Sequence, residues 1–214
     1  MTVTQIAELS KTRSKVYIDH EFAFVLYKGE LHLYHIQEGG ELSEEDYGTI
    51  CSRVLPKRAR LRAMNLLKSR EYTVEELRRK LKQGLYPDPV IEDALEYVAS
   101  FHYTDDLRYA VNYMTCHEKD KSRRRIEQDL CRRGISKETL EKAWAEWQEQ
   151  GGEKDEAAMI TALLEKRHYD PSHADRKELQ RTFAFLIRRG FSPEAVRRAL
   201  HAEDSLPDVP VSIF

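Results

Sequence analysis

Three clusters of basic side chains are the residues of this 214-residue chain best placed to do chemistry. Arg78, Arg79, Lys80 and Lys82 form the first, Arg123, Arg124, Arg125, Arg132 and Arg133 the second, and Arg188 and Arg189 the third. Guanidinium and ammonium groups at helical spacing bind phosphates or carboxylates without reading base sequence, and they do so with strong salt dependence. The competing reading of each cluster is the solvated face of a charged helix. A smaller group, Tyr103, Asp105 and Asp106, is either a contact patch or a helix start, with Thr104 or Asp105 as cap and Tyr103 over the join. Carboxylates adjacent in sequence need not converge in space, so no acid–base dyad is expected from them.

Other chemistries are poorly served. His32 and His35 fall in a stretch read as a strand, on opposite faces, and His168 and His173 lie five apart in an irregular segment, so no metal site is expected. Cys51, Cys116 and Cys131 are odd in number and in no C-x-x-C arrangement, which argues against a disulfide framework or zinc site and for a reducing cytoplasm. Cys131 is read as a buried structural thiol. Trp144 and Trp147 share a helical stripe with Leu140 and Ala143 and are expected in a core. Phosphate-loop, dinucleotide, zinc-protease and hydrolase-elbow motifs do not occur, so no cofactor and no catalysis are expected.

The elements that position these clusters follow from pattern. Hydrophobic residues make up 41% of the chain and charged residues 34%, with nine Gly and seven Pro, the composition of a charged, helix-rich protein. No apolar run is long enough to span a bilayer. The net charge of −2 hides segregation: Lys57 to Lys82 holds ten basic residues against three acidic, whereas Glu138 to Glu156 holds seven acidic against two basic. Val16–Ile18 and Phe22–Tyr27 read as strands, turned at Lys28–Glu30 into a further strand over Leu31–Ile36. Ser43 begins a short helix expected to close near Pro56.

Beyond Lys57 the apolar period becomes helical, and a repeat emerges. Arg132-Arg133-Gly134-Ile135-Ser136 and Arg188-Arg189-Gly190-Phe191-Ser192 match 56 residues apart, and Gln83-Gly84-Leu85-Tyr86-Pro87 is a looser copy with about one extra residue. Each Gly is expected to end a helix in the left-handed conformation, with an apolar residue packing back and a cap restarting the chain. The organisation expected is a β-rich segment over 1–56, three-helix repeats over 57–103, 104–151 and 152–203, and a tail over 204–214. Overall the fold class is mainly α, three tandem three-helix repeats in an elongated curved stack behind a small antiparallel sheet.

At this point the sequence resembles the RecX family. The likeness runs through Ala63–Leu67, Tyr72–Leu81, Phe101–Ala110 and Arg124–Ile135, in that order and spacing, and covers about residues 57–203. Three departures stand out, Asp120-Lys121-Ser122 where the family has a Gly turn, His102-Tyr103 where it has Gly-Tyr before the Asp pair, and an insertion over Arg167–His173. The resemblance implies a non-enzymatic cytoplasmic regulator, expected as a monomer, whose partner is the RecA recombinase filament. It implies restraint of the filament's ATP hydrolysis, strand exchange and co-protease activity, with the basic clusters facing acidic protein or DNA phosphates. The rival reading is a helical module that binds DNA directly, without the recombinase.

Overall fold

The computed structural model describes residues 1–201 and falls into two compact units, Met1–Asp105 and a second that begins at Asp106. The tail expected over 204–214 lies outside the described residues. In the first unit, β1 (Val3–Ser10), β2 (Arg13–Ile18) and β3 (Glu21–Tyr27) form an antiparallel sheet in the order β1-β2-β3. Ser14, Val16 and Ile18 alternate inward from β2 and join Val3, Phe24 and Leu26.

The strand expected over Leu31–Ile36 is instead a helix, α1 (Lys28–Leu33). The Glu30 carboxylate accepts the Tyr27 backbone N–H at 2.7 Å, closing the first turn, and also accepts Arg58 at 2.9 Å, which fixes it. His35 then takes a φ of 50°, and the Ile36 N–H returns to the Leu31 carbonyl at 2.8 Å, burying Ile36. The third strand is β1, whose polar positions Thr4, Gln5 and Glu8 conceal its alternation. His32 and His35 therefore lie on α1 and its terminal turn.

Pro56 does not close a helix. Ser43 caps α2 (Glu44–Thr49) by accepting the Asp46 N–H at 3.0 Å, and the chain runs on through a π-helical turn, Ile50–Val54, into α3 (Leu55–Leu67). The Leu55 N–H reaches back to Ile50, and this wider turn accommodates a proline ring that has no N–H to give. With α4 (Val74–Gln83) and α5 (Asp88–Ser100), α3 completes a three-helix repeat, whose Leu77, Leu81, Ile91 and Leu95 share one continuous core with the sheet.

The second unit holds two further repeats. In the first of these, α6 (Asp106–Cys116), α7 (Arg123–Arg132) and α8 (Lys137–Glu149) enclose Met114, Ile126, Leu130 and the edge-to-face pair Trp144 and Trp147, 5.4 Å apart. In the other, α9 (Glu156–Lys166), α10 (Arg176–Arg188) and α11 (Pro193–Ala199) enclose Ile160, Phe183, Leu186 and Phe191.

The middle helix of every repeat ends alike. Backbone N–H groups of Tyr86, Ile135 and Phe191 donate back to the carbonyls of Leu81, Leu130 and Leu186 at 3.4, 3.1 and 3.4 Å. Gly134 and Gly190 take the left-handed conformation as expected, at φ of 94° and 90°. Gly84 does not, because the first copy's extra residue moves that position to Leu85, at φ 61°. Gly84 serves close approach instead, since a Cβ there would lie 3.0 Å from the Tyr86 ring.

Gly190 carries both demands at once. A Cβ would meet the Ser122 hydroxyl at 2.5 Å and the Arg125 Cβ at 2.9 Å, whereas at Gly151, also left-handed at φ 87°, nothing lies within 4 Å. Gly151→Ala should therefore cost about 1 kcal/mol of conformational strain, and Gly190→Ala about 2–3 kcal/mol or more. Urea unfolding of the two variants checks this, and equal costs would refute the close approach.

Candidate functional site

Ser122 decides how α7 meets α10. Wholly buried, its hydroxyl accepts the Arg125 N–H at 3.2 Å as the cap of α7 and donates to the Arg189 carbonyl at 3.1 Å, at the end of α10. The positive N-terminus of one helix thus faces the negative C-terminus of another. Lys154 adds a second clasp between the two repeats, donating to the carbonyls of His117 and Glu118. Burial lowers its pKa from the usual lysine value.

Between α7 and α10 runs a groove of about 510 Å³ lined by Arg124, Arg125, Arg132 and Arg188, with Gln128, Cys131 and Ile187 between them and no carboxylate in its wall. Arg124, Arg132 and Arg188 are exposed. Three arginines in the first turn of α7 oppose the helix dipole, while the Glu156 carboxylate of α9 accepts the Arg123 backbone N–H at 2.9 Å. Cations placed against the dipole add to the positive potential at the groove, an arrangement that favours an incoming anion over internal stability.

The structure also sorts the rest of the second cluster. Arg123 turns away, paired with Glu127 at 2.9 Å and lying 4.7 Å over the Trp144 ring. Arg133 donates to the Tyr109 hydroxyl at 2.7 Å. Arg189 lies 4.6 Å over Phe185. Cys131 is exposed in the groove wall, against the expectation of a buried thiol, because Ile126 and Leu130 hold the inward stripe and the next position is rotated off it.

Asp129 anchors the groove from behind. Its carboxylate accepts Lys121 and the Tyr113 hydroxyl, each at 3.1 Å, and pairs with Arg125 at 3.3 Å and Arg132 at 3.8 Å. Burial pushes the Asp129 carboxyl up, but the Lys121 ammonium, Arg125 and Tyr113 together outweigh it and hold it below 3.8. Burial likewise pulls the Lys121 ammonium down, and its bonds to Tyr113 and Asp129 outweigh that and raise it.

A second basic groove, of about 360 Å³, flanks α10 on Arg167, Lys177, Arg181 and Arg188, so that Arg188 belongs to both. Sequence reasoning missed Lys177 and Arg181, although their spacing to Arg188, four and then seven residues, is a helical stripe.

The first cluster lies in the other unit and behaves differently. Arg78 pairs with Glu92 at 2.7 Å and Glu75 at 3.5 Å, Arg79 with Glu75 at 3.7 Å, and Lys82 with Asp88 at 3.2 Å. Superposing the helix ends sets Arg132 and Arg133 on Arg188 and Arg189, but on Gln83 and Gly84 in the first repeat, so the recurrence is twofold. Tyr103 is exposed and stacks on the exposed Phe101, with centroids 5.8 Å apart, outside both grooves. Thr104 is buried with its hydroxyl unbonded, so it does not cap α6, which starts at Asp106 beside Asp105.

Among the described residues no cluster of His, Cys, Asp and Glu is placed to hold a metal, and no helix is long and apolar enough to cross a membrane. Family models of RecX match the chain three times, the first, second and third three-helix domains falling on residues 59–97, 105–143 and 153–200. A regulatory protein RecX of Trichlorobacter lovleyi is 33% identical over 147 residues, spanning 67% of this chain and 94% of the relative. One from Caldanaerobacter subterraneus subsp. tengcongensis is 29% identical over 205 residues, spanning 94% and 99%. A solved structure titled regulatory protein RecX matches in fold, with TM-score 0.58, 24% identity and coverage of 94% of this chain and 99% of that one.

The depressed Asp129 carboxyl sets a pH dependence. A group whose folded pKa lies below its unfolded value stabilises the fold above the unfolded value and loses that contribution as pH falls through the folded one. The Asp129 contribution to stability should accordingly be present above the ordinary carboxylate value and be lost as the pH falls below it. Asp129→Asn should lower the neutral-pH denaturation midpoint and flatten the acid limb. An unchanged acid limb, followed by circular dichroism, would remove Asp129 from this role.

Proposed function

Because the chain belongs to the RecX family of regulatory proteins, we propose that it binds the RecA–DNA filament and restrains its ATP hydrolysis, strand exchange and co-protease activity. The observation that carries this reading is the α7–α10 groove, where Arg124, Arg125, Arg132 and Arg188 converge without a lining carboxylate. Such a surface suits an acidic protein face or the phosphates of DNA within a filament. The same reading makes the protein a cytoplasmic, monomeric regulator that needs neither cofactor nor catalysis. In it, Arg78, Arg79 and Lys82 serve mainly as helix-surface ion pairs, and Arg123, Arg133 and Arg189 support the groove through their aromatic contacts. Tyr103, Asp105 and Asp106 are the junction at which α6 begins.

DNA-dependent ATP hydrolysis by RecA of the same organism, titrated with the protein at two salt concentrations, tests the reading. Wild type should inhibit at substoichiometric ratios. Arg124→Glu combined with Arg188→Glu should weaken inhibition at least about tenfold with an unchanged helical spectrum, since two salt-screened charge contacts are reversed. Full potency in the double variant would overturn the groove assignment. Wild type without effect on hydrolysis would overturn the filament reading, and tight binding to bare DNA in that case would favour the direct DNA-binding module.

A further inference from the structure

The outer face of α3 carries a groove that the filament reading leaves unused. It runs from Arg53, in the π-helical turn, to Lys68 at the end of α3, about 22 Å of helix, and α5 supplies the facing wall through Tyr97. Its volume is about 510 Å³, and no carboxylate lines it. Residues 53–70 hold seven Lys and Arg and no acidic residue, which leaves α3 without internal partners for this charge.

Two kinds of surface meet there. Pro56, Leu61, Met64 and Tyr97 form an apolar floor, in which Leu61 is 55% exposed. Past Tyr97 the apolar strip continues to Phe101, 54% exposed, whose ring meets that of Tyr97 edge to face at 5.1 Å. Arg53, Lys57 and Lys68 stand exposed along the rim, and none of them pairs with a carboxylate among the described residues. Arg60 differs from these three. Its Nε and Nη2 donate to the Asp93 carboxylate at 2.8 and 2.5 Å, and its guanidinium lies 4.9 Å over the Tyr97 ring, a clamp that ties α5 to α3 and holds the two walls together.

Spacing points to the occupant. The lining positions 53, 57, 60, 64 and 68 advance in steps of three and four, the seam along which a second helix packs. Nucleic acid would satisfy the cations, but an aliphatic floor gives a base nothing to stack on, and Arg60 already covers a face of Tyr97. We propose that this groove receives an amphipathic α-helix from a partner protein, its apolar stripe on Leu61, Met64 and Tyr97 and its flanking Asp or Glu side chains on Arg53, Lys57 and Lys68. The site goes beyond the filament reading, because it belongs to the other unit and needs no recombinase to be occupied.

The test is fluorescence anisotropy of a labelled helix-forming peptide of about four turns, with Leu at the seam and Glu on both flanks, titrated with the full chain. A peptide with Lys in place of every Glu is the control. The acidic peptide should bind more tightly than the control, and Lys57→Glu combined with Lys68→Glu should weaken it at least about tenfold, since two charge contacts are reversed. Leu61→Ser, at an exposed position, should weaken it at least about threefold with an unchanged helical spectrum. Equal affinity for the two peptides, affinity unmoved by either variant, or losses confined to the binding of a labelled oligo-dT would each overturn the proposal. Arg124→Glu combined with Arg188→Glu should bind the peptide as wild type does. A loss there would place the peptide in the α7–α10 groove and overturn the assignment, and because recombinase hydrolysis is not read, failure here and failure of the filament reading separate.

Discussion

Each repeat must stop its middle helix and send the chain back within four residues, and a single residue at positive φ makes that possible. At Leu85, Gly134 and Gly190 the chain turns left-handed, and the next N–H returns to the carbonyl five residues earlier. The apolar residue that follows, Tyr86, Ile135 or Phe191, is then brought back over the helix it has just left. Without this turn the third helix of each repeat could not lie against the first. At Leu85 the side chain costs on the order of 1 kcal/mol of strain, which the shared core of sheet and helices offsets. At Gly190 a side chain would cost more, because the same point touches Ser122 and Arg125.

That contact makes the turn an instrument of the site. Ser122 satisfies one orphan N–H of α7 and the last carbonyl turn of α10 with one hydroxyl, so the register between the helices is set by hydrogen bonds as well as by packing. The register in turn sets Arg188 opposite Arg124 and Arg132. Asp129 holds the groove's rear through Lys121 and Tyr113 and leaves its mouth to arginines. Three arginines stand against the dipole at the first turn of α7, where Ser122 and Glu156 satisfy the backbone N–H groups of Arg125 and Arg123 and leave the arginine heads to an anionic partner.

The charge pattern works by subtraction. Basic residues are abundant in every repeat, yet most of the first cluster is neutralised by Glu75, Asp88 and Glu92. Lys80 escapes because it faces the sheet side of the helix, where Arg13 and α3 contribute further cations. A basic surface therefore survives where folding withholds carboxylates, and its position follows from which helix faces meet. The family's regulatory character, carried by the name of its relatives, accords with surfaces of this kind.

Much of this was legible in the order of residues. The helical period beyond Lys57, the caps at Ser43, Ser136 and Ser192, the buried tryptophans and the Gly134 and Gly190 turns are local consequences of side-chain shape and hydrogen-bonding capacity, which neighbours in sequence suffice to specify. The family likeness belongs here too, since it rests on order and spacing. Other features were not legible. Residues 31–36 read as a strand because their alternation is compatible with either period over six positions, and the contact of Glu30 with Arg58 of α3, 28 residues away, adds to its local bond with the Tyr27 N–H in favouring the helix. Cys131 and Arg132 are exposed, and Arg123 is turned onto Trp144, by the rotation of α7 against its neighbours. Which arginines meet, and which are paired off, depends on carboxylates and helices distant in the chain, and electrostatic attraction acts on separation in space. Sequence alone thus determined the elements, their ends and the family, and the tertiary structure alone decided which charges remain available to a partner.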